Sequence, residues 1–321
     1  MRFLGRNLYT DMNQRLQKID KIQKKLEDFY QEKPCFDYES EALLEFFKAT
    51  RNIFLFFYWL ATRAPKLDPE KLLEVNDLEI PEWEEIMYKN LIKVERSKFI
   101  ALVEPLVQSV YKKISEQGGG LVLASLGSGS MEIEKQVLER LINKTPTAKP
   151  CIFIGIDISQ TSKKVARENL SEFENEIEII EKSDVNYNFL QETKLCLKKH
   201  TVILATNNIF ELEKSFPAKS IDLVYSCLFR HHLNKDQKNK LNTLYVTWAK
   251  SVLEYDGFKS WLNMIPQTIV GWGEPIFLNS EIFSNLRFPT KIDVVDILPK
   301  SKLGYFNNGY YLLEYSHEFG K

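Results

Sequence analysis

The sequence has neither a large net charge nor a long apolar segment, the features typical of nucleic-acid-binding and membrane-spanning proteins. Its 43 lysines and arginines nearly cancel its 44 aspartates and glutamates, so no overall positive charge draws it to nucleic acid. Its most apolar run, IFLFFYWLA at residues 53–61, is far shorter than the roughly 20 residues of a membrane-spanning helix. We therefore expect no membrane span and no nucleic-acid partner. The 44% hydrophobic and 27% charged residues are typical of a globular protein.

Cysteine is also scarce. The four cysteines show no metal-ligand spacing: Cys35, Cys151, Cys196 and Cys227. We therefore expect no metal site, and reduced thiols. The first 14 residues lack the apolar segment of a secretory signal peptide, so a cytoplasmic location is expected.

The glycine-rich segment lacks the residues that mark the common phosphate-binding loops. In LVLASLGSGSME, residues 121–132, an apolar run typical of a buried strand leads into Gly127-Ser128-Gly129-Ser130, and helical spacing follows. No Lys-Ser or Lys-Thr pair follows the last glycine, which excludes a P-loop. Glu132 stands where a nicotinamide fingerprint has its third glycine. A carboxylate there would repel a pyrophosphate but tolerate a ligand with a positive amino group.

Residues 1–118 are predicted to be almost entirely helical. Apolar residues at three- and four-residue steps predict an amphipathic helix that runs to about Gln31. A second helix, capped by Ser40, is predicted over residues 41–63 with its apolar run buried. Further predicted helices begin near residues 69, 81 and 97.

Three glycines at residues 118–120 mark the predicted domain boundary. Residues 1–118 would form a cap, substrate or interaction domain. In residues 119–321 apolar runs alternate with helical patterns, which indicates a parallel sheet. Beyond the first strand, strands are predicted at 151–156, 176–181, 201–205, 220–226 and 259–264. A closing antiparallel hairpin is predicted from strands at 291–298 and 309–315, with its turn near 302–308.

An acid ends the predicted second strand, since Asp157 follows Gly127 by 30 residues. Together with the Leu126-Gly127-Ser128-Gly129 loop, this acid resembles the class I, seven-strand S-adenosylmethionine-dependent methyltransferase family over roughly residues 120–315. Two positions depart from the family's first motif, since Ser125 replaces its acid and Met131 its third glycine. The resemblance implies S-adenosyl-L-methionine as cofactor, bound at the loop by Ser125, Gly127, Ser128 and Gly129.

The same resemblance implies which residues hold the adenosine part of that cofactor. Asp157 would accept both ribose hydroxyls, and Ile158 would lie against the adenine. An acid or amide after the next strand is expected near the adenine amino group, and two candidates compete: Asp184, and Asn207 with Asn208. We favour the asparagines, because the residues after them match the family's lead-in to its fourth strand. If the asparagines occupy this position, the segment 176–200 is an insertion relative to the family.

The remaining candidates are an acid and two histidines. Glu132 either complements the helix dipole or replaces the missing acid at Ser125 and binds the amino group of the methionine part. The family's fourth strand would end at Ser226, where cofactor and substrate meet. His231 and His232 follow it and resemble the small-molecule branch of the family. They either make structural hydrogen bonds, or one of them accepts the proton of the methyl acceptor.

The predicted fold is α/β: a doubly wound, mostly parallel seven-stranded sheet with a terminal antiparallel hairpin, preceded by an all-helical N-terminal domain. The predicted function is S-adenosylmethionine-dependent methyl transfer to an O or N nucleophile of a small molecule. Three alternatives stay open: a protein or RNA methyltransferase that docks its substrate on the helical domain, a non-catalytic cofactor-binding protein of the same fold, and a nicotinamide-dependent oxidoreductase. The methyl acceptor and the oligomeric state are not predicted.

Overall fold

The computed structural model describes residues 7–31, 38–68, 96–183, 185–259, 275–289, 294, 297–298, 301–306 and 309–316. The chain divides into two compact units. The first, called the helical unit below, comprises Met1–Met87 and Lys259–Phe288. The second, called the sheet unit, comprises Tyr88–Phe258 and Pro289–Lys321.

Helices and strands alternate through most of the sheet unit. The described helices, in chain order, are α1 (Asn7–Gln31), α2 (Tyr38–Ala49), α3 (Ile53–Thr62), α4 (Arg96–Glu116), α5 (Glu132–Lys144), α6 (Gln160–Leu170), α7 (Tyr187–Cys196), α8 (Lys235–Trp248) and α9 (Pro275–Arg287). The described strands are β1 (Val122–Leu126), β2 (Ile152–Asp157), β3 (Ile177–Glu181), β4 (His200–Thr206), β5 (Ile221–Cys227), β6 (Ala249–Gly257), β7 (Lys302–Phe306) and β8 (Tyr310–Ser316).

The helical unit holds α1, α2, α3 and α9 around a core rich in aromatic side chains. The Phe46 ring makes edge contacts with the rings of Phe56, Trp59 and Phe283, whose centroids lie 5.1–5.8 Å away. Such edge-to-face pairs add to the free energy that burial of the rings contributes. The predicted amphipathic helix that ends at Gln31 is confirmed as α1. None of the described helices combines the length and hydropathy needed to cross a membrane.

The predicted single helix over residues 41–63 is wrong, because the chain interrupts it between α2 and α3. Asn52 has extended backbone, and its side-chain oxygen accepts a hydrogen bond from the Phe54 N–H at 2.8 Å. Asn52 therefore caps a new helix. Ser40 lies inside α2, which begins at Tyr38, and does not cap it.

The apolar run at residues 53–61 is less buried than predicted. Phe56, Trp59 and Leu60 are buried, whereas Phe54 and Tyr58 are 82% and 68% exposed. The run therefore forms a short helix that buries only one stripe of its surface. The helix starts predicted near residues 69 and 81 lie outside the described residues.

The sheet unit contains one eight-stranded sheet in the order β3-β4-β2-β1-β5-β6-β8-β7. The first six strands of this order pair in parallel, and β8 is antiparallel to both β6 and β7. The predicted α/β fold with a terminal antiparallel hairpin is confirmed. The sheet has one strand more than the seven expected, and β3 forms its edge beside β4.

Two predictions about the C-terminal strands are wrong. The first strand of the hairpin is Lys302–Phe306 and not residues 291–298, so the turn comes later than expected. Val294, Ile297 and Leu298 are buried in the core beneath the sheet, and their apolar character reflects that burial and not strand pairing. The sequence also does not predict β6, because buried charged residues interrupt its apolar pattern. Of the strand predicted at 259–264, residues 260–264 lie outside the described residues.

Helices cover both faces of the sheet, as a doubly wound architecture requires. On one face Val107 of α4 and Leu138 of α5 pack against the sheet, and on the other face Trp248 of α8 does so. The Leu102 carbonyl of α4 also accepts a hydrogen bond from the Tyr255 hydroxyl at 2.6 Å.

The compact units therefore differ from the division expected at residues 118–120. Helix α4 precedes that point but belongs to the sheet unit, because its apolar side packs on α5 and β6. Helix α9 follows that point but belongs to the helical unit, where Phe283 enters the aromatic core.

The three glycines at residues 118–120 form a tight connection into β1. Gly120 N donates to the Lys149 carbonyl at 3.1 Å, and Lys149 N donates to the Gly118 carbonyl at 3.0 Å. All three glycines have positive φ, which only glycine adopts at little cost. A Cβ on Gly119 would lie 2.2 Å from the Lys149 carbonyl oxygen, whereas a Cβ on Gly118 would contact nothing within 4 Å.

We expect Gly119→Ala to destabilise the chain much more than Gly118→Ala. Both alanines would occupy a left-handed conformation, at a cost of about 1–2 kcal/mol each. Only the alanine at Gly119 would also displace the Lys149 backbone, which adds roughly 1–3 kcal/mol. Urea unfolding of the two full-length variants measures the difference, and equal losses of stability would show that the connection is not tightly packed.

Candidate functional site

Parallel pairing brings the predicted site segments to one edge of the sheet. Leu126 of β1 is in register with Ile156 of β2 and Ser226 of β5, and Asp157 is in register with Thr206 of β4. The segments that continue from these strand ends are the glycine loop at 127–130, Ile158, Asn207 and the His231-His232 pair. The carboxyl edge of a parallel sheet is where ligands bind in open α/β folds.

The glycine loop turns sharply because two of its residues, and the residue that follows it, have left-handed backbone. Gly127, Gly129 and Met131 have φ of 65°, 51° and 57°. The Gly127 and Ser128 N–H groups donate to the Ile156 carbonyl at 2.9 and 3.2 Å, which anchors the loop on β2. A Cβ on Gly127 would lie 2.1 Å from the Phe229 ring. Gly127 therefore makes room for the ring of Phe229, which joins the loop to the histidine segment.

Asp157 holds the glycine loop from the end of β2. Its Oδ2 accepts the Gly129 N–H at 2.8 Å, and its Oδ1 accepts the Ser159 N–H at 2.9 Å. Burial raises the pKa of Asp157, and these backbone donors partly offset the rise. Each carboxylate oxygen can accept a further hydrogen bond, so the side chain keeps capacity for a hydroxyl donor.

Asn207 and Ile158 lie beside Asp157 and differ in character. The Asn207 N–H donates to the Asp157 carbonyl at 2.9 Å, and the side-chain Oδ1 of Asn207 is buried without a hydrogen-bond partner among the described residues. Ile158 is 64% exposed. Asn208 instead caps the following helical turn by accepting from Phe210 N at 3.1 Å. The competing candidate, Asp184, lies outside the described residues.

These residues fit an adenosine-type ligand. A buried amide oxygen without a donor is costly, and an adenine amino group would satisfy it. An exposed isoleucine offers an apolar surface to a base, and a carboxylate suits ribose hydroxyls. Asp157, Ile158 and Asn207 therefore offer the groups that an adenosine moiety needs.

Glu132 serves as a connection between two helices. Its two carboxylate oxygens accept amide N–H donors from Gln136 and Asn169, both at 3.0 Å. The Asn169 side chain also donates to the Ser130 carbonyl at 3.0 Å. Glu132 is 4% exposed. It therefore ties α5 and the end of the glycine loop to α6.

Glu134, which is not among the predicted site residues, lies beneath the glycine loop. The Tyr225 hydroxyl donates to its Oε1 at 2.6 Å, and the Ser125 hydroxyl lies near its carboxylate. Its Oε2 is buried with no partner among the described residues. Burial raises the pKa of Glu134. The helical spacing of the sequence could have indicated that Glu134 is buried, because it places this residue on one face of α5 with Val137, Leu138 and Leu141.

The histidine segment is held by two carboxylates of β6. After β5 the chain forms a short helical turn, Arg230–His232. Within it the buried Arg230 donates from Nε to Glu254 Oε1 at 2.7 Å and from Nη2 to Asn242 Oδ1 at 2.7 Å. The Tyr311 hydroxyl also donates to Glu254 Oε1 at 2.7 Å. A buried charge needs such partners, so this network fixes the turn in place.

His231 is paired with the second of these carboxylates, Asp256. His231 Nδ1 lies 2.9 Å from Asp256 Oδ1, and the His231 backbone N–H donates to Asp256 Oδ2 at 3.1 Å. The Gly257 N–H donates to Oδ1 at 2.7 Å. Burial raises the pKa of Asp256 to about 7. The His232 ring lies 4.1 Å from the His231 ring, measured between centroids.

Two serines of the predicted site lie in the interior. Ser226 is fully buried, and its Oγ lies 2.7 Å from the Tyr245 hydroxyl of α8. Ser125 is 5% exposed and contacts Glu134. Asp256 was not predicted, because the strand that carries it was not; an acid at a strand end next to the histidines would have been the signal.

No protein-family model and no curated protein sequence matches this chain. Solved structures match at low identity. CrArsM, an arsenic(III) S-adenosylmethionine methyltransferase from Chlamydomonas reinhardtii, is 15% identical, with a TM-score of 0.35, over 61% of this chain and 62% of its own. A SAM-dependent methyltransferase from Aquifex aeolicus is 14% identical, with a TM-score of 0.38, over 64% of this chain and 87% of its own. The CurJ carbon methyltransferase is 12% identical, with a TM-score of 0.46, over 92% of this chain and 71% of its own.

The matched part spans less than two thirds of the CrArsM chain. All three TM-scores lie below 0.5, so we assign the fold from strand order alone. Strands β4-β2-β1-β5-β6-β8-β7 form a seven-stranded sheet whose antiparallel strand, β8, is inserted beside a parallel one. The sheet unit therefore has the Rossmann-like fold of the class I S-adenosylmethionine-dependent methyltransferases, with β3 added at one edge.

Proposed function

We propose that this protein transfers the methyl group of S-adenosylmethionine to an O or N nucleophile of a small molecule. The observation that carries the proposal is the buried His231–Asp256 pair on the sheet edge that also holds the glycine loop and Asp157. A histidine held by a carboxylate is suited to accept a proton near neutral pH.

The residues at the strand ends support the proposed cofactor site. Asp157 would accept the ribose hydroxyls, Ile158 would contact the adenine face, and the Asn207 Oδ1 would accept the adenine amino group. When bound, S-adenosylmethionine supplies an electrophilic methyl group on a positively charged sulfur. Glu132 is already occupied by two amides, so its proposed contact with the cofactor has no support from the geometry.

His231 would act as the general base. Asp256 accepts the Nδ1 proton and thereby fixes the tautomer in which Nε2 carries the lone pair. Nε2 then takes the proton that an O–H or N–H nucleophile loses as it is methylated, and Asp256 stabilises the imidazolium that forms. The Arg230–Glu254 pair keeps the helical turn, and hence the imidazole, in position. His232 packs on the His231 ring and would limit its rotation.

The proposed cofactor is tested first by calorimetric titration of the full chain with S-adenosylmethionine and, separately, with NAD. We expect binding of S-adenosylmethionine only. Asp157→Asn and Asn207→Ala should each weaken it by about 10-fold or more, since each removes a hydrogen bond at a buried site. Asn208→Ala is the matched control and should leave affinity unchanged, because Asn208 caps a turn. Binding of NAD instead would refute the proposal.

The proposed base is tested by tritium transfer from methyl-labelled S-adenosylmethionine. Small phenols, carboxylic acids and amines are offered first, with RNA and protein extracts as separate arms. With an acceptor in hand, His231→Ala should lower kcat by about 100-fold or more, and His232→Ala by much less. Full activity of His231→Ala would remove the base from the mechanism. Labelling of RNA or protein alone would favour the macromolecular alternative.

The pH dependence gives a second test of the same pair. Because burial raises the pKa of Asp256 to about 7, the pair must lose a proton near neutral pH before His231 can act as a base. We therefore expect kcat to rise with pH through about 7. In Asp256→Asn the imidazolium lacks its counter-charge, so the rise should move to lower pH and the plateau should fall. An unshifted profile would show that Asp256 does not act on His231.

A further inference from the structure

We propose that Glu134 supplies the carboxylate that is missing at Ser125, and that it binds the charged amino group of the cofactor's methionine part. This inference rests on the proposed function, because it assumes that S-adenosylmethionine is the ligand at the glycine loop. It assigns the role to a residue of α5 that the sequence comparison with the family does not single out.

The first support is the place of the Glu134 carboxylate. Ser125 lies two residues before Gly127 and is in register with Tyr225 of β5. The Tyr225 hydroxyl donates to the Glu134 carboxylate, and the Ser125 hydroxyl lies close enough to that carboxylate to lower its pKa. The side chain of Glu134 therefore brings its charge to the end of β1, beside the position where the family has its acid.

The second support is the unsatisfied hydrogen-bonding capacity of this carboxylate. Tyr225 occupies Oε1, while Oε2 is buried and has no partner among the described residues. Glu134 is 1% exposed, and no described lysine or arginine forms an ion pair with it. A buried carboxylate without a cation is costly, and a ligand ammonium group would relieve that cost.

Glu132 differs from Glu134 on this point. Both of its carboxylate oxygens accept amide N–H groups, one from Gln136 within α5 and one from Asn169, and the second bond ties α5 to α6. Binding a ligand through Glu132 would compete with those bonds, whereas the Oε2 of Glu134 has none to lose.

The third support is the charge at the adjoining strand end. Burial raises the pKa of the Cys227 thiol well above its ordinary value, and the negative charges of Asp256 and Glu134 raise it further. The carboxylates of Glu134 and Asp256 therefore both lie close to the end of β5. S-adenosylmethionine carries positive charge at both its sulfur and its amino group, so its methionine part matches this region.

The test compares two ligands that differ in the amino-acid part. S-adenosylhomocysteine carries the amino group, whereas 5′-methylthioadenosine has the same nucleoside and a thioether but no amino acid. Calorimetry of the full chain measures both affinities in the wild type, in Glu134→Gln and in Glu132→Gln. Glu134→Gln should lower the affinity for S-adenosylhomocysteine by about 10- to 100-fold, because the lost interaction is charge-assisted. The affinity for 5′-methylthioadenosine should stay within about twofold of the wild-type value. Glu132→Gln should not separate the two ligands.

Equal losses for both ligands in Glu134→Gln, or a selective loss in Glu132→Gln, would overturn the assignment. If Glu134→Gln does not fold, Glu134→Asp is measured in the same way, because it keeps the charge and withdraws the carboxylate by one methylene. A wild type that binds neither ligand would refute the proposed function itself. A wild type that binds S-adenosylhomocysteine while no variant separates the ligands would refute only the role of Glu134.

Discussion

Parallel register between β1, β2, β4 and β5 is the constraint on which the candidate site depends. It places the ends of four strands side by side, so that residues distant in sequence share one edge. Two interactions then join the segments beyond those ends. Asp157 accepts the Gly129 N–H, and the Phe229 ring fills the space that a side chain at Gly127 would need. Asp157 and the histidine segment are thereby both built against the glycine loop.

Buried carboxylates are the second organising feature, and the partner of each decides its role. Glu254 faces the guanidinium of Arg230, so that pair is internally neutral and stabilises the turn. Asp256 faces the imidazole of His231, a side chain that can both accept and donate a proton, so that pair is suited to move a proton. Glu134 accepts a hydrogen bond from the Tyr225 hydroxyl and forms no ion pair with a described lysine or arginine, and we propose that a ligand ammonium group is its partner. The same side-chain chemistry therefore supports three functions through three partners.

Much of the sheet unit was predictable from local patterns. Apolar runs such as 151–156 and 201–205 become buried central strands because strands covered on both faces carry few polar residues. The errors fall where that rule fails. Glu254 and Asp256 interrupt the apolar pattern of β6, so the sequence pattern does not predict a strand there. The burial of both acids depends on their contacts with Arg230 and His231. Val294, Ile297 and Leu298 are apolar because the core covers them, and none of these three residues lies in a strand.

The sequence by itself determined the strand–turn–helix at the glycine loop, the acid 30 residues after it and the alternation that forms the sheet, because these depend on neighbours along the chain. The tertiary structure alone decided which partner each acid meets. Glu132 and Glu134 are two residues apart on one helix, yet Glu132 binds an amide of its own helix and one of α6, whereas Glu134 turns toward Ser125 and Tyr225. A helix rotates successive residues by about 100°, so only packing against the sheet determines which carboxylate lies beneath the loop.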